Sequence, residues 1–255
     1  MARIFITGST DGLGHAAARS LVDGGHRVVL HARSSERAEA LGDMAASCDG
    51  IVIGDLRSAV ETRSVADQVN AIGRMDAVIH NAGIYGEPSR APTHEGHAAI
   101  LAVNTLAPYM LTALIERPDR LVYLSSGLHR GGIGPLEDID WVNRPWDAAR
   151  AYAESKLYVV ALASAVAKRW PAVISSAVDP GWVRTRMGGS SAPVDIDTGQ
   201  WTQAWLAVTK DAAGLVSGGY WRNCRQEQPA CQALDVTYQD RLLALLHELT
   251  GVALP

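Results

Sequence analysis

Short β-branched runs alternate with longer segments of helical period along nearly the whole chain, and this alternation constrains the fold more than any other feature. The strand-like runs are Arg3–Thr7, Arg27–His31, Gly50–Ile53, Ala77–His80, Leu121–Leu124 and Ala172–Val178. Strands separated by a helix cannot pair as hairpins. They need crossover connections, which make them parallel and place helices on both faces of the sheet. The expectation is a doubly wound α/β protein whose ligand crevice lies at the carboxyl ends of the strands. A last strand around Leu215–Tyr220 and a terminal helix from about Tyr238 to Thr250 complete a mostly parallel sheet of about seven strands. The 255 residues carry no internal repeat or low-complexity linker, so residues 1–255 are read as a single domain.

Composition narrows the partners. With 47% hydrophobic and 20% charged residues the chain falls in the globular range. A net charge of -4 without a run of Lys and Arg gives no electrostatic case for nucleic acid or an anionic membrane, which leaves a small molecule as the expected partner. The longest apolar stretch, Leu157 to Ala167, is too short to span a hydrocarbon core of about 30 Å, so no membrane span is expected. Arg3–Ile6 is entered without a signal-peptide pattern, and Cys48, Cys224 and Cys231 match neither a zinc ribbon nor a CxxC. Both features point to reduced thiols and a cytoplasmic protein.

After the first strand comes Thr7-Gly8-Ser9-Thr10-Asp11-Gly12-Leu13-Gly14, followed by a helical run. Glycine in such a turn permits positive φ, lets the backbone approach a pyrophosphate, and lets the helix start pack on the strand with its amides facing the anion. An ordinary strand-to-helix turn can carry the same residues; the flanking strand and helix favour a dinucleotide loop.

This TGxxxGxG spacing resembles the short-chain dehydrogenase/reductase superfamily, and further matches follow in order. Asp55-Leu56 matches the family's adenine-contacting segment, Asn81-Ala82-Gly83 its NAG motif, and Asn104 its helix asparagine. Ser126, Tyr152 and Lys156 match the catalytic set, and Pro180-Gly181-Trp182-Val183-Arg184-Thr185 matches the segment that packs on the nicotinamide end. The resemblance implies a Rossmann fold, a nicotinamide cofactor and hydride exchange between a carbonyl and an alcohol. By the same resemblance the cofactor is held by Gly8, Ser9, Thr10, Asp11, Gly12, Leu13, Gly14, Arg33, Asp55, Leu56, Asn81, Ala82, Gly83, Tyr152, Lys156, Pro180, Gly181, Val183 and Thr185. Ser125-Ser126-Gly127-Leu128-His129, placed well before Ala151-Tyr152, is most similar to the retinol-dehydrogenase-like and WW-domain-oxidoreductase-like branch. The substrate stays open.

Tyr152 and Lys156 stand four apart on a helical run, a turn apart on one face. A free phenol ionises near 10, too high for exchange at neutrality, and the Lys156 ammonium together with an oxidised nicotinamide is expected to lower the Tyr152 pKa. Ser126 is expected to hold the substrate oxygen, with Ser125 its adjacent competitor. In the resembled mechanism Asn104 fixes a water that links Lys156 to solvent. A non-catalytic NAD(P)-binding redox sensor is the rival reading, and it has no chemical need for Tyr152.

His31-Ala32-Arg33 ends the second strand without a carboxylate, so NADP(H) is favoured through Arg33, while Asp11 in the glycine loop keeps NAD(H) in view. The long connections from Ser126 to about Asp147 and from Gly188 to Thr198 are assigned to the substrate pocket and lid. His94-Glu95-Gly96-His97 lacks the spacing of a zinc helix, so no metal is expected. His80 reads as structural, and His129 as either a pocket wall or a cap. The Ala-rich run from Ala161 to Ala167 serves equally a second subunit of a homo-oligomer or a buried monomeric helix.

Overall fold

The computed structural model describes residues 1–255. Its sheet contains β1 (Arg3–Ile6), β2 (Arg27–Ala32), β3 (Gly50–Ile53), β4 (Ala77–His80), β5 (Arg120–Leu124), β6 (Ile174–Val178), β7 (Tyr220–Arg222) and β8 (Arg225–Glu227). The spatial order is β3-β2-β1-β4-β5-β6-β7-β8, with parallel pairing from β3 through β7 and β8 antiparallel at the edge. The order reverses between β1 and β4, which opens the crevice of a doubly wound sheet beside the glycine loop.

Side-chain alternation builds a core on each face. Ile4 and Ile6 join Val28, Leu30 and Ile79 under the Gly12–Asp23 and Ile196–Val208 helices, whereas Phe5 joins Val29, Val78 and Leu121 on the other face. That second face is covered by the helices Ala59–Ile72, Ala107–Leu114, Ala148–Arg169 and Val236–Thr250. No helix is long and apolar enough to cross a membrane. The run from Ala161 to Val166 is buried within the chain, beneath Leu242 and Leu246 of the terminal helix.

The last strand differs from the expectation in place and number. Gly218, at φ +83°, and Gly219 form a turn that binds to β6 through Gly218 N–H to the Ser175 carbonyl (2.7 Å), so the strand begins at Tyr220 instead of occupying Leu215–Tyr220. Asn223 and Cys224 both have positive φ, 49° and 54°, as a two-residue type I′ hairpin requires, and they return the chain as an eighth strand.

The insertion after Ser126 is a strap rather than a lid. Leu136, Ile139 and Trp141 are buried, the Tyr238 hydroxyl donates to the Gly134 carbonyl at 2.9 Å, and the Trp146 indole donates to the Glu87 carbonyl at 2.9 Å. Arg144 lies over the Trp141 ring and donates two hydrogen bonds, of 2.9 and 2.5 Å, to the buried Glu154 on the Ala148–Arg169 helix. His97 is bonded to Asp140 of the same insertion. His80 stacks on Tyr123 and bonds Thr112 through Nε2, but its Nδ1 has no partner, so it is only half satisfied; burial pushes its pKa down to about 3.

Candidate active site

A cleft of about 950 Å³ runs along the carboxyl ends of β1, β2, β4, β5 and β6. At one end the glycine loop turns through Gly8 (φ +62°) and Gly12 (φ +55°), and Asp11 caps the following helix by accepting the Gly12 amide at 2.7 Å. The amides of Leu13 and Gly14, in the first helical turn, donate to no protein acceptor, as at an anion-binding helix start. A side chain on Gly14 would run into the Gly8 carbonyl and the Asn81 amide, so this glycine packs the loop and does not line the cleft. Ser9 is fully buried, donates to the Ile6 carbonyl and accepts the His31 amide, and so locks the turn from beneath. Asn81 ties the same turn from β4, donating to the carbonyls of Thr7 (3.0 Å) and Gly8 (3.1 Å).

His31 was not assigned a role from sequence, yet it sits under the loop. Its Nδ1 accepts the Gly8 amide at 2.9 Å while Nε2 lies 2.9 Å from the Gly54 carbonyl. Only the Nε2-protonated, neutral imidazole satisfies both, and burial accordingly lowers its pKa.

Arg33 is exposed at the end of β2 and lines the cleft together with Arg37 and Arg57. Arg37 is 3.4 Å from Asp11, and Arg57 is 3.3 Å from Glu87. Asp55 turns back to accept the Arg57 amide at 3.0 Å, and Leu56 is buried beside it.

At the other end the catalytic candidates converge. Tyr152 and Lys156 project from one face of the Ala148–Arg169 helix, which starts where Asp147 accepts the amides of Ala149 and Arg150. Lys156 Nζ is buried, donates to the Leu124 carbonyl at 2.8 Å and lies 5.6 Å from the centre of the Tyr152 ring. Gly83 leaves the room these groups need, since a Cβ there would stand 3.3 Å from Lys156 Nζ and 3.4 Å from Asn104 Oδ1. Asn104 occupies a π-helical turn, Ala102–Leu106. Pro108, four residues on, has no N–H to give to the Asn104 carbonyl, so the helical ladder slips there. Its side chain brackets the loop after β4: Oδ1 accepts the Ile84 amide, and Nδ2 donates to the Ile84 carbonyl and to Ser155.

The two serines separate by their bonds. Both reach the cleft wall, but Ser125 is buried with its hydroxyl donating to the Lys156 carbonyl at 3.1 Å, whereas Ser126 is more open and caps the short turn after β5 by accepting the Leu128 amide. His129 is no pocket wall: it is fully buried against Tyr220, its ring nitrogens bonded to the Ser126 carbonyl (2.7 Å) and the Ala230 amide (3.0 Å).

Burial dominates the electrostatics. It lowers the Lys156 pKa to about 8 and pushes Tyr152 up to about 12, with Ser126 pulling Tyr152 down and Asp179 adding to the rise. The fall expected for Tyr152 is therefore not realised in the protein alone, where the ammonium is turned toward Leu124. Pro180, Gly181, Val183 and Thr185 line the cleft as expected. Tyr85, edge-on to Tyr152 at 4.8 Å, and Asp179, Trp182, Met187 and Arg222 complete its wall. Of the two long connections only Ser126, Gly127, Leu128 and Gly188 reach it.

The short chain dehydrogenase family model matches residues 2–122. The chain is 42% identical to an uncharacterized oxidoreductase of Emericella nidulans, covering 100% of this chain and 99% of that protein. It is 28% identical to human retinol dehydrogenase 13 over 99% of this chain and 85% of that one, in keeping with the retinol-dehydrogenase-like resemblance. Among solved structures, an uncharacterized protein from Mycobacterium Paratuberculosis superposes with a TM-score of 0.86 at 26% identity, covering 100% of this chain and 95% of the other. With this fold and these relatives, the chain belongs to the short-chain dehydrogenase/reductase family of nicotinamide-dependent oxidoreductases.

Proposed function

We propose that the chain is an NADP(H)-dependent carbonyl reductase whose working groups are Ser126, Tyr152, Lys156 and Asn104. The observation that carries this reading is that Ser126, Tyr152 and Lys156 line one cleft, with Asn104 beside Lys156 at Gly83, and that the same cleft holds a glycine loop whose helix start has free amides. The residues fit a dinucleotide: positive-φ glycines leave a cradle at one end, and at the other Gly83 puts no side chain into the cleft beside Lys156. The bound nicotinamide supplies the hydride.

The chain's own groups handle the oxygen and its proton. Ser126 Oγ donates to the substrate oxygen and offsets the charge that grows on it. Tyr152, held protonated by burial, gives the proton; Lys156, with its pKa near 8, is mostly an ammonium at neutral pH and stabilises the phenolate left behind. Asn104 fixes the position of Ile84, and through it the backbone beside Lys156.

Preference for the phosphorylated cofactor is supported by Arg33, Arg37 and Arg57 about the far end of the cleft, where the end of β2 presents no carboxylate to repel a phosphate. Titration with NADPH and then NADH, followed by turnover of an aldehyde and ketone panel, tests both halves. Tyr152→Phe is expected to abolish turnover with little change in NADPH affinity, and Arg33→Asp to shift the preference toward NADH. Tight NADPH binding without turnover on any carbonyl would sink the reductase reading.

A further inference from the structure

Asp179 has no part in the proton chemistry just described. It follows β6, is 3% exposed and lines the cleft. A carboxylate in a cleft wall is stabilised where its oxygens find partners, in the protein or in whatever fills the cleft. Oδ1 does, accepting the Gly181 amide at 2.9 Å. Oδ2 accepts no hydrogen bond: its nearest cation, Arg222 Nη1, is 3.9 Å away on a half-exposed side chain.

On its other side Oδ2 faces Gly127. A Cβ on Gly127 would stand 3.0 Å from Oδ2, and because Gly127 does not have positive φ, glycine is needed there for space and not for backbone conformation. Oδ2 thus packs against the residue that follows Ser126, the group that holds the reacting oxygen, in the same cleft wall. Its charge raises the Tyr152 pKa and opposes the negative charge that hydride delivery builds on the substrate oxygen. For a plain carbonyl the carboxylate is a hindrance. A donor on the substrate, placed between Oδ2 and the carbonyl, removes the hindrance and supplies the missing bond.

Resting on the reductase reading above, we propose that Asp179 is a specificity residue whose Oδ2 accepts a hydrogen bond from an O–H or N–H group one or two bonds from the reacting carbonyl. The substrate class is therefore α-hydroxy or α-amido carbonyl compounds and their close homologues, not simple ketones.

The test compares 2-hydroxyacetophenone with 2-methoxyacetophenone, which keeps the ether oxygen but has no donor. With NADPH the wild-type protein is expected to favour the hydroxy ketone in kcat/KM by about tenfold or more, the scale of one hydrogen bond to a charged group. Asp179→Asn, which can still accept the Gly181 amide, is expected to bring that ratio close to one. A wild-type ratio near one, or an Asp179→Asn protein that loses both activities in parallel, overturns the proposal; so does a preference for 2-oxo acids that Arg222→Gln removes. Binding of the two ketones to Tyr152→Phe loaded with NADPH separates this inference from the reductase reading, because it needs no turnover: tighter binding of the hydroxy ketone supports the role of Asp179 even if no ketone is reduced, and equal binding refutes it.

Discussion

His31 and Gly8 meet beneath the glycine loop, the imidazole Nδ1 accepting the Gly8 amide at 2.9 Å. The loop's geometry thus depends on an unprotonated ring. Protonation of Nδ1 removes the acceptor, so affinity for the cofactor is expected to fall as the pH drops below the ordinary histidine range, at a pH set by the lowered pKa. NADH is the probe to use, since it lacks a 2′-phosphate that would titrate in the same region. His31→Phe is expected to weaken NADH binding at pH 7 by about tenfold, the value of one lost hydrogen bond, and to flatten the pH dependence. An unaltered pH profile in the variant would show that another group controls it.

The same buried rings set the acid limit of the fold. Burial lowers the pKa of His31, His80 and His129, so in each case the unfolded chain binds its proton first as the pH falls. Their contribution is complete above about pH 6.5 and is lost below it, at up to about 1.4 kcal/mol per pH unit for each ring. His97, raised by Asp140, works in the opposite direction, which leaves a net loss. Urea midpoints at pH 7, 6 and 5 are expected to fall steadily; a midpoint that rises on acidification would contradict the neutral state of these rings.

Lys156 predicts the alkaline limb of the reaction. With its pKa near 8, the free enzyme loses the ammonium just above neutrality, while Tyr152 keeps its proton to a much higher pH. Reductive kcat/KM is expected to decline above about pH 8, and Lys156→Arg to move that limb upward at a lower plateau, because a guanidinium does not titrate there. A limb that stays at the same pH in Lys156→Arg would assign it elsewhere.

The Arg144–Glu154 pair fastens the strap to the helix that carries Tyr152 and Lys156. Glu154 is fully buried, so Glu154→Ala leaves the Arg144 guanidinium without its main partner and is expected to cost about 3–5 kcal/mol in denaturant unfolding. Asp138, 3.4 Å from Arg144, remains as a weaker substitute and favours the lower end of that range.

What could be read along the chain was what depends on local spacing. Tyr152 and Lys156 are a turn apart on any helix, and the alternation of strand and helix left one sheet architecture. Ser126 could be preferred to Ser125 only by its register in the family pattern; the bond that ties the Ser125 hydroxyl to the Lys156 carbonyl appears only in the fold. Tyr85 and Arg222 gave no signal, and Asp179 stood only as the residue before Pro180 with no role of its own, because their meaning comes from neighbours far away in sequence that only the folded sheet brings close. The strap was misread as a lid because a Gly- and Pro-rich segment looks mobile until Trp141 and Arg144 find their partners on distant helices. The final strand was misplaced because Leu215 and Val216 have strand-like side chains, while Gly218 and Gly219 take the turn.

That strap also has a meaning for anyone altering this protein. Its first residues, Ser126 to Leu128, touch the substrate space, and the rest of it is bolted through Trp141, Arg144 and Gly134 to the scaffold. Selectivity and robustness are therefore written on one continuous segment, and libraries that randomise it will trade one for the other. Trp182 and Met187, which line the same space from the opposite side and are largely exposed, are where new selectivity can be sought at little risk to folding, whereas Val183 between them is buried and Gly188 has no room for a side chain.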